Sequence, residues 1–314
     1  MTAYLIRRLW HALLVVVGVT IVVFIMLHLL PGGPARAILG IRATPAAIAA
    51  FNHENGYDRP LFIQYGVWVG HLITGQLGYS YKLNQSVASL IADRLPKTVL
   101  LVGLANLFAL VFAVPLGLLQ ARRRNSALDY SVTGVAFIFY SMPLFWLSLL
   151  LVIIFSIDVR WFPPEAPQGS LAQVLTAPGG LVLPVAALTL ITIALFSRYM
   201  RSSAIDSLTQ DYIRTAQAKG LGDAKLLRRH VLRNSLLPTI TLIGLTLPVV
   251  VSGALLVESV FNFPGMGLLF WNAAQAQDYP VLLACTVVVG VATAIGSLLA
   301  DLLYMVVDPR IRTA

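Results

Sequence analysis

Six long, almost uncharged apolar stretches dominate this sequence, at residues 9–30, 98–119, 131–157, 181–197, 239–260 and 281–307. A helix needs about 20 apolar residues to cross the hydrocarbon core of a bilayer. Backbone groups placed there must be bonded within the segment, which favours helices. The expected architecture is therefore an all-α integral membrane protein with six transmembrane helices. The fourth stretch is short, and its helix is expected to begin within 178–180. Composition agrees: 58% of the residues are hydrophobic and 11% charged, against about 25% charged in soluble domains. The first stretch is longer than the apolar region of a signal peptide, about 7–15 residues, and reads as a retained span.

The net charge is +9. In a soluble chain that would suggest a nucleic-acid partner. Here the cations sit in connections between apolar stretches, which is the signature of membrane orientation. Fifteen Lys and Arg lie at the two ends and in the connections after stretches two and four; seven lie in the remaining connections. The richer side is expected to be cytoplasmic, with both termini there. The chain then divides into a cytoplasmic N-terminus and first span (1–30), an extracytoplasmic segment (31–97) and a five-helix core (98–314). In the second part, Leu61, Tyr65, Trp68 and Leu72 share one helical face. A helix lying on the membrane surface and a small packed cap are both open readings. Trp161 and Phe162 read as interfacial anchors.

The cytoplasmic connection 198–238 is far longer than two spans require. Ile205, Leu208, Tyr212 and Ala216 recur at helical spacing, and Gly220 follows, as glycine does after a helix. Lys219 suits the negative end of that helix. Asp223 is expected to cap a second helix, with Leu226, Leu227 and Val231 on its apolar side and Arg228, Arg229 and Arg233 exposed. Pro238 is expected at the entry to the fifth span. A helix, a glycine turn and a short helix make either a docking element or a basic loop at lipid headgroups.

The string Tyr212-Ile213-Arg214-Thr215-Ala216-Gln217-Ala218-Lys219-Gly220-Leu221 resembles the cytoplasmic loop of binding-protein-dependent ABC importers. In particular it is similar to the dipeptide, oligopeptide and nickel permease group, first-subunit type. The glutamate of the general pattern is replaced by Arg214, and the later proline by Arg233. Further similar strings run along nearly the whole chain. They include Leu29-Leu30-Pro31-Gly32-Gly33-Pro34, Arg94-Leu95-Pro96-Lys97-Thr98, Ser141-Met142-Pro143, Phe263-Pro264-Gly265-Met266-Gly267 and Asp278-Tyr279-Pro280.

The resemblance implies a type I ABC importer permease fold in the bacterial inner membrane, embedded in lipid. It implies a second permease subunit, two ATP-binding subunits and an extracytoplasmic substrate-binding protein as partners. It also implies that Tyr212, Arg214, Thr215, Ala216, Ala218, Lys219, Gly220, Leu221, Arg228 and Arg229 couple the chain to the ATPases. The chain lacks G-x-x-x-x-G-K-[ST], the loop that cradles phosphates. ATP is therefore expected on the partners, with no cofactor on this chain. Peptides, nickel complexes, glutathione and heme all fall within the family's range of substrates.

Glu258 is the ionisable residue that stands out within the stretches, and such a group usually faces a cavity or a partner. It either lines the translocation path, pairs with a neighbouring subunit, or lies at the interface. Pro264 and Gly265 form part of a gate or of a plain connection. Asp301 shares a face with Tyr304 and Asp308, as a structural pair for arginines or as a proton relay. His28 and His71 are single histidines, and His53 beside Glu54 has no metal-ligand spacing. Pro115, Pro143, Pro184 and Pro248 are candidate hinges. No hydrolase or redox motif is present, so an enzyme is not expected. An ion-coupled secondary transporter is the competing reading, though no internal repeat supports it.

Overall fold

The computed structural model describes residues 2–29, 33–40, 42–252 and 254–307. Helix α1 (Thr2–His28) leads into α2 (Gly33–Leu39), α3 (Pro45–Glu54) and α4 (Leu61–Ile73). A two-stranded hairpin, β1 (Tyr79–Ser80) and β2 (Gln85–Ser86), precedes the 36-residue α5 (Val87–Arg122). Helices α6 (Ala127–Ser141) and α7 (Leu144–Val152) follow, and a π-helical turn over Ile153–Asp158 extends α7. After α8 (Leu171–Thr176), a 3-10 turn over Pro178–Leu181 opens α9 (Val182–Leu208). The segment α10 (Asp211–Ala218) and α11 (Asp223–Leu226) leads through a π turn to α12 (Leu232–Ser252). Helices α13 (Leu255–Val260), α14 (Met266–Ala276) and α15 (Tyr279–Val307) complete the described chain.

Among the described residues four helices are long and apolar enough to cross a membrane: Ile6–His28, Val87–Arg122, Pro178–Leu208 and Tyr279–Leu299. The fourth stretch does begin at Pro178, as its shortness suggested. The bent pair Ala127–Ser141 and Leu144–Asp158 is apolar enough for a fifth crossing if its two halves make one span. The expected single helix over 131–157 is corrected here, because the chain turns by 101° between its halves. Pro143 causes the break. It has no N–H to give the preceding turn, and it drives Met142 into an extended conformation (ψ 131°). The expected span 239–260 is also not one helix. Its first part is α12 and its last part is the separate α13, which starts after Ala254 at φ −98°, ψ 71°. Residue 253 and several side chains at the end of α12 lie outside the described residues.

The most extensive contact is between α5 and α9. Ala105, Ala109, Ala113 and Gly117 recur every four residues along α5, and the three alanines are fully or almost fully buried. Small residues at this spacing let two helices approach closely where lipid offers no hydrophobic drive. Leu101, Val102, Leu147, Val185, Val257 and Phe261 build an adjoining core among α5, α7, α9 and α13.

Two ends can be told apart by what is tied there. At one end α9, α10, α11 and the α5–α6 turn meet. At the other lie the hairpin, α13, α14 and the start of α15, where Ser80 Oγ donates to the buried carboxylate of Asp278. Near that end α4 packs on α1. The Tyr65 ring stands edge-on to Phe24 at 5.4 Å, and Trp68 lies 5.8 Å from it. Tyr65 Oη and Thr20 Oγ1 share a 2.9 Å hydrogen bond. Leu61 does not join this face. It is exposed, and buried Gln64 takes the inward position, bonded to His28 and to the Tyr57 and Arg59 carbonyls.

Candidate functional site

The segment between α9 and α12 is built around the glycine turn, but its helix boundaries differ from those expected. Ile205 and Leu208 belong to α9, which runs on past the apolar stretch. Thr209 and Gln210 turn the chain before α10 begins at Asp211. On α10, Ile213 and Ala216 point inward, and with Ala121, Ala204, Leu226 and Val231 they form a dry core. Tyr212, Arg214, Thr215, Ala218 and Lys219 are exposed.

The helix ends at Gly220, at φ +76°. The Leu221 amide donates to the Ala216 carbonyl at 3.2 Å, and the Gly220 amide to Gln217 at 2.9 Å. These two bonds satisfy carbonyls that the helix end leaves open, and they require a left-handed residue. No atom lies within 4 Å of a Cβ placed at Gly220, so backbone conformation alone selects glycine there. Leu221 folds back against the same core.

Asp223 does not cap the second helix. The cap position is Gly222, and Asp223 reaches Arg122 Nη2 at the end of α5, 3.1 Å away. The short second helix does not stop. A π turn over Leu227–Val231 carries it into α12, so Pro238 lies inside a helix rather than at its entry. Arg228, Arg229 and Arg233 are exposed, and Leu226 and Val231 buried, as expected. Asn234 Nδ2 donates to the Tyr212 hydroxyl at 2.8 Å, tying α10 to α12.

A side-chain pair that the sequence reading missed braces the same end. Asp129 is 1% exposed, and both its oxygens are held by Arg201, with Nε–Oδ1 at 2.7 Å and Nη2–Oδ2 at 2.6 Å. The Asn125 amide donates to Oδ2 at 3.0 Å, and the Asp129 amide bonds Ser126 Oγ. A readable signal existed: Ser126 followed by Asp129 is a helix-start pattern.

Glu258 lies at the opposite end, on α13, and is 0% exposed. Its Oε1 accepts from the Thr98 hydroxyl at 2.9 Å, and Oε2 from the Leu268 amide at 2.9 Å. Pro264 and Gly265 form the turn into α14, for which Gly265 is the cap residue. His28 is bonded to the Phe24 carbonyl and to Gln64, and His53 to Asp58. Among the described residues no group of three metal-ligating side chains occurs. The side chains of Asp301 and Tyr304, all of Asp308, and the string at 30–32 lie outside the described residues.

Long apolar helices, tightly packed through small residues and joined at one end by an amphipathic, glycine-terminated helix, define a polytopic α-helical membrane protein. The family described as "binding-protein-dependent transport system inner membrane component" matches residues 113–313, and its N-terminal counterpart matches residues 1–102. The oligopeptide transport system permease protein AppB of Bacillus subtilis is 38% identical over 99% of both chains. The dipeptide transport system permease protein DppB of Alkalihalophilus pseudofirmus is 36% identical over 99% of this chain and all of its own. A Brucella suis protein provisionally named a peptide permease is 41% identical over 99% of both. The chain belongs to the family of binding-protein-dependent transport system inner membrane components. Its fold is that of a type I ABC permease.

Proposed function

We propose that this chain is one of two permease subunits of an importer that carries di- or oligopeptides across the inner membrane. ATP is bound and hydrolysed by two partner subunits, and an extracytoplasmic binding protein delivers the peptide. The names of the relatives support the peptide substrate. The excess of Lys and Arg at the ends and in 198–238 supports a cytoplasmic position for both termini and for α10.

The observation that carries this reading is the build of α10. A rigid helix with Ile213 and Ala216 anchored inward presents Tyr212, Arg214, Thr215, Ala218 and Lys219 to a soluble neighbour. ATPase closure pushes on this face. The push passes through the Thr209–Gln210 turn to α9 and through the π turn to α12. The two helices shift as near-rigid bodies, and the path changes its open side. In this scheme the nucleotide and its hydrolysis belong to the partner subunits.

Ala218 is exposed and Ala216 buried, so a cysteine at 218 is the better reporter. In the complex assembled in membranes, Ala218→Cys is expected to crosslink to an ATPase subunit, with a yield that changes on nucleotide binding. Crosslinks to lipid reagents alone, and none to an ATPase subunit, would overturn the docking role.

A further inference from the structure

We propose that Glu258 is a positioning residue that caps α14 from outside that helix, fixing the α13–α14 turn onto α5, and that it does not contact the transported molecule. This rests on the importer reading above and assigns Glu258, Thr98, Gly265 and Gly267 one joint task within it.

A helix start leaves amides unpaired, and the residue at the cap position usually supplies an oxygen. At α14 the cap position is Gly265, which has no side chain to offer. Acceptors arrive instead from α5, far off in the chain, and from the preceding α13. The Met266 amide donates to Thr98 Oγ1 at 2.8 Å, and the Leu268 amide to Glu258 Oε2 at 2.9 Å. Thr98 completes the circuit by donating its own proton to Glu258 Oε1 at 2.9 Å. The Ala254 amide adds a bond to Oε1 at 3.3 Å. Residues 98 and 258 are 160 apart in sequence, so this circuit binds the second span to the turn after the fifth.

Space enforces the arrangement. A Cβ on Gly265 would lie 2.5 Å from the Glu258 carboxylate, closer than real Cβ atoms come. A Cβ on Gly267 would meet the Leu255 backbone at 2.8 Å and Glu258 Oε2 at 3.1 Å. The Glu258 carbonyl also closes the turn, accepting the Phe263 amide at 2.8 Å. Every bond made by the carboxylate is an accepted one, from a hydroxyl or an amide. Among the described residues no cationic side chain pairs with it. A carboxylate supplies only acceptors, whereas a glutamine would set an N–H₂ against the Leu268 amide or against Thr98. With 0% exposure Glu258 has no surface left for a passing peptide.

The test uses the full complex in liposomes with its binding protein and peptides that differ only in charge. Thr98→Val and Glu258→Gln are each expected to lower the maximal uptake rate about tenfold. Preference among cationic, neutral and anionic peptides stays unchanged. Thr98→Ser, which keeps the hydroxyl, recovers most of the rate. The double variant is no slower than the slower single one, because both break one circuit. A Glu258→Gln complex with altered charge preference, or a Thr98→Val complex with the original rate, overturns the proposal while leaving an active importer. Hydrogen exchange on the unmodified complex is the arm that needs no variant. The Met266 and Leu268 amides are expected to exchange as slowly as the α5 core, and exchange at the rate of an open loop overturns the cap. Absence of peptide uptake by the unmodified complex would instead count against the importer reading.

Discussion

Arg201 grips Asp129 through both carboxylate oxygens, joining α9 to the first turn of α6 across 72 residues of sequence. The planar guanidinium suits this two-point contact, and lysine cannot reproduce it. The pair sits where the α5–α6 turn meets the base of α9, directly beside the core that seats α10. It therefore braces the helices that flank α10.

Removing one partner would leave the other charge poorly compensated. Asp129→Ala is expected to destabilise the chain by about 3 kcal/mol, the lower part of the range for a broken buried pair, because Arg201 keeps some solvent contact. Arg201→Lys costs less but is not neutral. Thermal unfolding of both variants in one detergent checks the ranking, and an Asp129→Ala protein as stable as the original would contradict it.

The Arg122–Asp223 pair ties α5 to α11, next to α10, but is exposed on both sides. Such a pair contributes about 0.2–1 kcal/mol. Ile213, by contrast, is buried in the core beneath α10, and its truncation costs about 2–5 kcal/mol. Ile213→Ala is thus expected to loosen the segment and abolish coupling, whereas Arg122→Ala leaves transport nearly intact. Limited proteolysis near residue 218 and uptake measured together separate the two.

Gly220 gives a graded series. Alanine there has room but must adopt a left-handed conformation, at about 1–2 kcal/mol. Asparagine tolerates that conformation better than valine. Uptake is expected to fall in the order glycine, asparagine, alanine, valine. Gly220→Trp is expected to insert into the membrane but lose ATPase coupling, which surface labelling and ATP hydrolysis would report.

The connection between α3 and α4 offers a pH-linked contact. The His53 hydrogen bond, 3.0 Å from Nδ1 to Oδ2, is the main cause that holds the Asp58 carboxyl below its usual range. A carboxyl lowered by folding adds stability above its unfolded pKa and loses it as pH falls through its folded value. The contact is therefore intact at neutral pH and fails only in acid. His53→Ala should raise the Asp58 pKa towards the ordinary carboxylate range, seen by carbon-labelled aspartate titration.

Where the sequence was informative, the signal was local. The run of apolar residues at 98–119 and the glycine at 220 each announce one element, because lipid and backbone sterics act on consecutive residues. Pro143 could be seen but not weighed: many membrane helices carry a proline without a 101° turn. The exit of Leu61 from its stripe followed from the preference of Gln64 for the His28 side chain, a tertiary choice. Asp129–Arg201 and Thr98–Glu258 leave no periodic trace, since their partners lie far apart in the chain. Glu258 was noticed for its charge, yet its surroundings are visible only once α14 is folded beside it.

Helix α5 spans 36 residues, roughly 54 Å at the rise of an α-helix, while the hydrocarbon layer is about 30 Å thick. It must stand out of the bilayer like a mast, with its far portion carrying the hairpin and the Thr98 attachment. A mast of that length amplifies small rotations. Tilting it by about 10° about its lower end would sweep the tip through roughly 9 Å. Modest rotations at one end of α5 are thereby enough to reshape the surface at the other.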